Sequence, residues 1–171
     1  MFPVVSDRQA PPAVSDIERA EFRTVLGHFA SGVVVVAGRG PDGPAGFTCQ
    51  SFFSLSLDPP LIAFAPGRTS TSWPPIHASG VCTVNVLGEA QEALARGFAR
   101  SGADKFAGVG WTPGSTGGIR LNGALAWLDC HIESVLDGGD HQIVVARVAE
   151  LELGQGDPLV FYRGGFGTFR S

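Results

Sequence analysis

The chain has 171 residues, a length that suits one domain, and its hydrophobic fraction of 44% is ordinary for a globular core. Its formal net charge is −4, so the basic face that nucleic-acid binding requires is not indicated. Three widely spaced cysteines, Cys49, Cys82 and Cys130, show neither zinc-ligand spacing nor a disulfide framework. We therefore expect buried thiols in a reducing compartment.

The first residues predict an arm rather than a packed element. Residues 1–14 contain three prolines and no periodic pattern, and we predict a flexible arm followed by one domain over residues 15–171. No secretory signal is visible in Met1–Ala13. The most apolar run, Val33–Ala37, is far shorter than the roughly 20 residues that cross a bilayer. We expect a cytoplasmic protein without a membrane segment.

The first predicted element is a helix. Ser15–Glu18 has the spacing of a capping box, with a hydroxyl followed three residues later by a carboxylate. Apolar residues then recur at i, i+3, i+4 and i+7, which predicts a surface helix that packs one face on a core and stops near Gly32. This apolar stripe consists of Phe22, Val25, Leu26 and Phe29.

After Gly32 the pattern becomes extended, with two short helices between strands. One helix is predicted from Trp73 to a stop at Gly80, and another over Glu89–Arg100. The predicted extended segments are Val33–Ala37, Gly46–Ser56, Leu61–Phe64, Val81–Leu87, Leu125–Val135, Ile143–Leu153 and Leu159–Arg163. About six strands without a βαβ rhythm predict a mainly β protein, a closed antiparallel barrel with flanking helices.

Three familiar site patterns are absent or misleading. Gly38–Gly43 matches the dinucleotide-binding pattern G-x-G-x-x-G. Such a site requires a helix to begin within the pattern, whereas the residues of Pro41–Pro44 are typical of a turn. We predict a hairpin loop. No G-x-S-x-G nucleophile motif occurs, and the four histidines lack ligand spacing, so no metal site is expected.

Several segments, weak when taken singly, form an ordered set that carries a resemblance. They are Gly46–Phe52, Ser54–Pro60, Ser79–Leu87, Asp104–Gly108, Gly139–His141 and Phe161–Gly164. In this order and spacing, over about residues 20–166, the chain resembles the flavin reductase-like family. It is most similar to the reductase components of two-component flavin-dependent monooxygenases.

The resemblance implies both a fold and an activity. The fold would be a six-stranded antiparallel Greek-key barrel of the FMN-binding split-barrel type, in a homodimer. The activity would be reduction of FMN or FAD by NADH or NADPH, with the reduced flavin passed to a separate monooxygenase. Such chemistry needs little acid–base machinery, because the cofactors carry it and the protein holds the rings together.

Candidate site residues follow from the matched segments. The β-strand exit around Thr48 and the Ala65–Gly67 loop would contact the flavin, and Thr71 and Ser72 would open a helix that binds its phosphate. Asn85 lies among apolar residues and needs a polar partner, so it is assigned to the flavin site. The expected cofactor-binding residues are Phe47, Thr48, Cys49, Gln50, Ser51, Ala65, Pro66, Gly67, Thr71, Ser72, Asn85, Lys105, Phe106, His141, Tyr162, Arg163 and Gly164.

His141 is the candidate catalytic residue. It follows Gly138–Asp140 at the entrance of a predicted strand, and the resemblance places it at the nicotinamide, where a hydrogen bond to the carboxamide or delivery of a proton fits imidazole chemistry. Tyr162–Gly164 would close the same region. Relatives often carry a Tyr where this chain has Phe166, which weakens any role for a hydroxyl at that position.

Two alternatives remain open. One is a flavin-binding module without turnover, because split barrels also serve as simple FMN carriers. The other is a flavoprotein similar to pyridoxamine-phosphate oxidase. Gly139–His141 favours the reductase, because a carrier has no need of a nicotinamide pocket.

Overall fold

A computed structural model describes residues 17–102 and 104–170 of the chain. The predicted arm, residues 1–14, and the start of the capping box at Ser15 and Asp16 lie outside these ranges. The helices are α1 (Arg19–Leu26), α2 (Trp73–Ser79) and α3 (Glu92–Ala99), the last preceded by a 3₁₀ turn at Glu89–Gln91. The strands are β1 (Ser31–Gly32), β2 (Val34–Gly40), β3 (Gly43–Cys49), β4 (Phe53–Leu57), β5 (Pro60–Phe64), β6 (Val81–Val86), β7 (Trp111–Pro113), β8 (Ile119–Leu121), β9 (Ala126–Gly138), β10 (His141–Leu153), β11 (Leu159–Tyr162) and β12 (Gly165–Thr168).

The largest sheet is antiparallel and has the strand order β3-β2-β6-β9-β10-β5-β4. Strands β6, β9 and β10 follow one another among the strands of this sheet and lie side by side, and β5 lies beside β10 although α2 connects it to β6. This arrangement is a Greek key. The mainly β class predicted from the sequence is confirmed.

The connection between β3 and β4 shows that this sheet is curled. Seven strands about 4.8 Å apart would place the two edges about 29 Å from each other in a flat sheet. The edge strands β3 and β4 are joined by only Gln50–Phe52, which can reach about 14 Å when fully extended. The sheet therefore rolls into an open barrel whose edge strands β3 and β4 are joined at Gln50–Phe52 but are not hydrogen-bonded to each other, and we call the gap between them the seam.

The seam also explains why the sheet has seven strands rather than the expected six. The sequence predicts one extended segment over Gly46–Ser56, but the structure breaks it at Gln50–Phe52. The first half pairs with β2 and the second with β5, on opposite edges of the sheet. Smaller sheets that the sequence does not predict join β1 to β11 and β12, and β7 to β8.

The glycine-rich segment at Gly38–Gly43 is a hairpin, as predicted. Strand β2 continues to Gly40, which pairs with Gly43, so only Pro41 and Asp42 form the turn. Gly43 has φ of +121°, a conformation that favours glycine. A strand follows rather than a helix, so this segment lacks the helix start that a dinucleotide fingerprint requires.

Strand β2 separates two hydrophobic clusters, which explains its continuous β-branched run. Val34 and Val36 face the barrel interior, whereas Val33, Val35 and Ala37 face a second cluster under α3 and β8. With both faces buried, the alternation of period two disappears from the sequence. The interior cluster includes Phe47, Phe64, Trp73, Ile76, Val84 and the buried free thiols of Cys49, Cys82 and Cys130.

Helix α1 contradicts one prediction. Its apolar stripe, at Phe22, Val25, Leu26 and Phe29, is between 54% and 81% exposed, and no residue of α1 is buried against the described chain. The helix is attached through the Gly27 carbonyl, which accepts a hydrogen bond from the backbone N–H of Arg163. Packing on the protein's own core was therefore the wrong interpretation, because periodicity reveals an apolar face and not what covers it.

The other two helices occur where the sequence predicts them. Helix α2 ends at Gly80, which adopts the left-handed conformation with φ of +73°. Helix α3 buries Ala95 and Phe98 in the second cluster. Among the described helices, none is long and apolar enough to cross a membrane.

Candidate functional site

Three adjoining cavities form one groove beside β3, the edge strand at the seam. Its first part, of about 340 Å³, is lined by Phe47, Thr48, Cys49, Gln50, Ser51, Ala65, Pro66, Gly67, Ala99 and His141. A middle part of about 180 Å³ shares Phe47, Thr48, Gly67 and Ala99 with the first. A far part of about 240 Å³ shares Thr71 and Lys105 with the middle part. We call this the seam groove, with a His141 end and a Lys105 end.

The His141 end is built from the turn between β9 and β10 and the loop after β5. Nδ1 of His141 lies 2.7 Å from the Oδ1 atom of Asp140. This hydrogen bond lowers the pKa of the Asp140 carboxyl, so the carboxylate is the acceptor and the proton resides on Nδ1. The Nε2 atom lies beside Gly67, where an added Cβ would come within 3.7 Å of it. The imidazole therefore presents Nε2 to the groove.

Two hydroxyl groups at the exit of β3 are already bonded to the backbone. Thr48 donates its hydroxyl proton to the Ala95 carbonyl at 2.6 Å. Ser51 donates to the Ala65 carbonyl at 3.2 Å and accepts from the Ala65 N–H at 2.9 Å, which ties the β3–β4 connection to the loop after β5. Towards a ligand, these hydroxyls can therefore act only as acceptors.

Gln50 and Cys49, at the end of β3, differ in whether their side chains can bind a ligand. The exposed Gln50 side chain makes no hydrogen bond within residues 17–102 and 104–170, and it lies where the seam groove meets a second cavity. Cys49 is buried, and burial raises the pKa of its thiol, so the sulfur stays neutral. Gln50 is thus the polar side chain of the β3 exit that remains free for a ligand.

The Lys105 end carries a cation held by neutral acceptors. Nζ of Lys105 donates to the Gly46 carbonyl at 3.1 Å, to Ser72 Oγ at 3.0 Å and to the Phe98 carbonyl at 3.1 Å. Partial burial lowers the pKa of this ammonium, and none of the ion pairs between described residues includes it. An uncompensated positive charge at this end favours an anionic ligand group.

Sequence reasoning missed several residues of the middle part. Thr69, Ser70, Arg100 and Ser101 line it together with Thr71. The signal was available, because Arg100 ends the predicted helix, Ser101 follows it, and both precede the Asp104–Gly108 motif. This segment adds an exposed guanidinium and further hydroxyl groups to the Lys105 end.

The assignment of Asn85 to the flavin site is corrected by the structure. Asn85 is fully buried, and its amide nitrogen donates to the carbonyls of Val35, Thr83 and Ile119. Its oxygen accepts the backbone N–H of Leu121 at 2.7 Å. The polar partner that the sequence required is the backbone of the adjoining strands, so Asn85 joins β8 to the main sheet and does not reach the groove.

Ser72 and Phe106 have larger structural roles than predicted. The buried hydroxyl of Ser72 accepts the Lys105 ammonium, and the α2 N–H of Trp73 bonds to Ser70 instead. Phe106 packs edge-to-face on Phe98 with ring centroids 4.9 Å apart, so its face is not free to stack on a ligand ring. Both residues border the far part of the groove.

The segment Tyr162–Gly164 does not share the cavity of His141. Arg163 and Gly164 line a separate cavity of about 660 Å³ between α1 and the β11–β12 turn, and only Gln50 borders both spaces. Tyr162 is exposed and contacts the His28 ring edge-to-face. Within the described ranges, no group of three or more His, Cys, Asp or Glu is placed to hold a metal ion.

The fold and the groove define a class of protein. A split β-barrel with a neutral, hydrogen-bonding slot at one end of its seam and a cationic pocket at the other is suited to a planar ligand with an anionic tail, as in the flavin-binding split barrels. The chain belongs to the flavin reductase-like family, since the model of the flavin reductase like domain matches residues 26–170.

Individual relatives agree with this membership. The chain is 47% identical over 153 residues to the flavin-dependent monooxygenase reductase subunit HsaB of Rhodococcus jostii, covering 89% of this chain and 78% of the relative. It resembles the crystal structure of nitrilotriacetate monooxygenase component B from Mycobacterium thermoresistibile with a TM-score of 0.85 and 42% identity, over 89% and 87% of the two chains.

A third relative was solved with ligand fragments. It is the NADH:FAD oxidoreductase SgcE6 of Streptomyces globisporus, in complex with NAD and FAD fragments. The TM-score is 0.84 at 35% identity, and the match covers 90% of this chain and 93% of that chain.

Proposed function

We propose that this protein is an NAD(P)H-dependent flavin reductase that reduces FMN or FAD and supplies the reduced flavin to a separate monooxygenase. The observation that carries this proposal is the His141–Asp140 pair at one end of a groove whose other end holds the Lys105 cation. A carrier of flavin alone has no use for the histidine end. The names of the relatives support the same reaction and the same division of labour.

The residues of the seam groove fit a flavin. Gln50 can donate to and accept from the edge of a heteroaromatic ring, while Thr48 and Ser51 accept only. Ala65–Gly67 forms a wall with little side-chain bulk, so a flat ring can approach the backbone. Thr71 and Arg100 would bond a phosphate group, and the positive charge of Lys105, whose three N–H groups are already bonded to the protein, would attract it. The order of these residues along the groove matches a ring followed by an anionic tail.

The chain's contribution to catalysis is mainly positioning. When bound, the flavin accepts the hydride that a reduced nicotinamide supplies. Asp140 accepts the Nδ1 proton of His141, so that Nε2 faces the groove and would hydrogen-bond the carboxamide of the nicotinamide. The loop at Gly67 and the residues of β3 border the same space and would hold the two rings against each other there. Correct placement of two rings accounts for most of the acceleration expected of such an enzyme.

Substitution of His141 tests this function. We expect wild-type protein at catalytic concentration to consume NADH or NADPH when FMN or FAD is added, measured by loss of absorbance of the reduced nicotinamide. His141→Ala should lower kcat/KM for the nicotinamide about tenfold or more, because the second ring is no longer held in place. His131→Ala is the matched control, since His131 is an exposed strand histidine that does not line the groove.

Other outcomes favour the alternatives. Flavin binding without nicotinamide oxidation would identify a non-catalytic flavin module. Reduction of a tightly bound FMN by an amine substrate would identify an activity similar to that of pyridoxamine-phosphate oxidase. Equal kinetics for His141→Ala and wild type would remove His141 from the site.

The proposal includes a homodimer. The exposed apolar side chains exceed what isolated surface residues explain, and a second copy of the chain would cover them. They are Phe22, Val25, Leu26, Phe29, Phe53, Leu55, Leu57, Leu136, Ile143, Leu151 and Leu153. Light scattering should give twice the 17.8 kDa mass of one chain. Leu26→Glu should shift it towards one copy, whereas Glu21→Gln on the same helix should not.

Two further parts of the proposal concern the cell. The three cysteines are free, which is typical of a reducing compartment such as the cytoplasm. The monooxygenase would receive its flavin by diffusion, because the groove is open to solvent along the seam. The flexible arm over residues 1–14 stays a prediction.

A further inference from the structure

We propose that Arg68 is a positioning residue that fastens the tip of the β9–β10 hairpin to the loop after β5 and thereby sets the place of His141 over the seam groove. The inference rests on the proposed reductase function and extends it to a residue outside the groove. Arg68 lies directly after the Ala65–Gly67 wall, and it is absent from the lining of the seam groove.

Arg68 binds the hairpin tip at three points. Its backbone N–H donates to the Asp140 carbonyl at 2.9 Å, and its Nε donates to the Gly139 carbonyl at 2.9 Å. Its guanidinium also forms an ion pair with Asp137. These contacts run from Asp137 near the end of β9 to Asp140, the residue that precedes β10.

The loop holds the other side of His141 as well. The backbone N–H of Gln142 donates to the Pro66 carbonyl at 3.0 Å, and Gly67 forms a β-bridge with His141 itself. The Gln142 side chain accepts the indole N–H of Trp73 at 2.7 Å. The residues before and after His141 are thus bound to one stretch of chain, residues 66–73, whose first residues also form the groove wall.

The turn needs such a partner because its own sequence is permissive. Gly138 and Gly139 form the tip, and Gly139 has φ of +75°, so the local backbone has wide conformational freedom. Residues 136–141 are all exposed, so burial does not fix the position of the tip. If the Arg68 side chain were removed, Pro66 and Gly67 would still contact Gln142 and His141 through the backbone. The tip would lose the hydrogen bond to the Gly139 carbonyl and the ion pair with Asp137.

The direction of the guanidinium argues against direct contact with a ligand. Nε and one terminal nitrogen are bonded to the hairpin, and Asp137 and Asp140 are the acidic residues of that tip. Arg68 therefore acts on substrate through His141. Nicotinamide placement, and not flavin binding, should depend on it.

The same hairpin contains a matched control. Arg147 forms an ion pair with Glu133 across β9 and β10, and the Arg68 and Arg147 side chains are both 44% exposed. The two arginines differ in place, because Arg147 lies in the middle of the ladder and touches neither the loop nor His141. Replacing either arginine by alanine removes one positive charge and one exposed ion pair from the hairpin. Any difference between the two variants therefore reports the position of Arg68.

The experiment compares Arg68→Ala, Arg68→Lys and Arg147→Ala in the full chain. Flavin affinity is measured by fluorescence titration, and hydride transfer by stopped-flow absorbance with a deuterated nicotinamide. Arg68→Ala should slow hydride transfer about tenfold, as expected for a ring displaced by a fraction of an ångström, with flavin Kd changed less than about twofold. Arg68→Lys should lie between, because it keeps the charge and loses the Gly139 bond. Arg147→Ala should match wild type.

A double substitution tests whether Arg68 acts through His141. In the His141→Ala background, Arg68→Ala should cause no further loss, because the two residues work as one unit. Additive losses, a tenfold weaker flavin Kd, or identical behaviour of Arg68→Ala and Arg147→Ala would each overturn the positioning role. If wild-type protein fails to oxidise NAD(P)H with any flavin, the proposed function fails instead, which is a separate result.

Discussion

Strand β9 carries an arginine–carboxylate cluster near each end, and the two clusters occupy opposite environments. Near its start, Asp129 is fully buried and pairs with Arg120, whose side chain is 14% exposed. Near its end, the Asp137 side chain is 90% exposed and pairs with Arg68. The same residue types therefore do different work, one holding the fold and the other holding a site.

The buried cluster joins the β7–β8 hairpin to the main sheet. Asp129 accepts the Thr83 hydroxyl at 2.5 Å, the Ser115 N–H at 2.8 Å and Arg120 Nη2 at 2.7 Å. Arg120 also reaches Glu150 and Glu152 on β10. Both oxygens of the buried carboxylate accept hydrogen bonds, so removal of the carboxylate leaves its buried donors without a partner.

The lesson of the comparison is that burial decides what an ion pair contributes. A buried, fully bonded carboxylate is costly to disrupt, whereas an exposed pair contributes about 0–1 kcal/mol and matters through the geometry it imposes. Substitutions in the first cluster should change stability, and those in the second should change catalysis.

The largest expected effect is on Asp129. Asp129→Ala should lower the free energy of unfolding by about 3–5 kcal/mol, because Arg120, Thr83 and Ser115 lose their common partner. Urea denaturation followed by circular dichroism measures it. Glu152→Gln, which removes an exposed partner of the same Arg120, is the control and should cost no more than about 1 kcal/mol. If Asp129→Ala and Glu152→Gln lowered the free energy of unfolding equally, burial would not determine what an ion pair contributes in this protein.

A buried neutral side chain extends the comparison. Asn85→Ala should lower the free energy of unfolding by about 2–3 kcal/mol, because the Leu121 N–H and three carbonyls lose their partner. Flavin Kd should be unchanged in the folded variant, as measured by fluorescence titration. Lost flavin affinity at unaltered stability would instead support the assignment made from the sequence.

Acid should remove the stabilisation that the buried Asp129 carboxylate provides. Burial by itself raises the pKa of Asp129, but the hydrogen bonds from Arg120, Thr83 and Ser115 outweigh it and hold the pKa below its usual 3.8. A folded-state pKa below the unfolded value means that the stabilisation is complete above pH of about 4 and is lost as the pH falls through the folded-state pKa.

The free energy of unfolding can be measured at several pH values from about 6 down to about 2. It should fall less steeply with decreasing pH for Asp129→Asn than for wild type. Glu152→Gln should keep the wild-type slope. A variant curve parallel to that of wild type would show that Asp129 does not titrate as the structure implies.

The smallest effect on stability should come from Arg68. Arg68→Ala removes an exposed ion pair and should change the free energy of unfolding by less than about 1 kcal/mol, measured by the same urea titration. A loss comparable to that of Asp129→Ala would mean that the hairpin tip is part of the structural framework, and its kinetic effects would then need another explanation.

Much of the fold could be predicted from the sequence, because short β-branched runs and turn residues carry local signals. Val33–Ala37, the Pro41-Asp42 turn and the Gly80 helix stop are examples. The break at Gln50–Phe52 could not be predicted, since it depends on which edge each half of the segment pairs with. The exposure of α1 could not be predicted either, because an apolar stripe does not name its partner.

The candidate site also has parts that local sequence signals predict and parts that depend on distant residues. The order of motifs predicted that Thr48–Ser51, Ala65–Gly67 and His141 come together, and the structure places them in one cavity. Asn85 was misassigned because a polar residue among apolar ones signals only that a partner exists. Arg68 escaped notice because its role depends on a hairpin 70 residues further along the chain, a distance that periodicity does not bridge.

The seam has a consequence for how a ligand leaves the barrel. Strands β3 and β4 are the two edges of the main sheet and are not paired with each other. Movement of one edge away from the other would break no backbone ladder bond, while the Ser51 hydroxyl holds the β3–β4 connection to Ala65 after β5. The barrel can therefore open at the seam and release a bound ligand while its hydrogen-bonded strands stay paired.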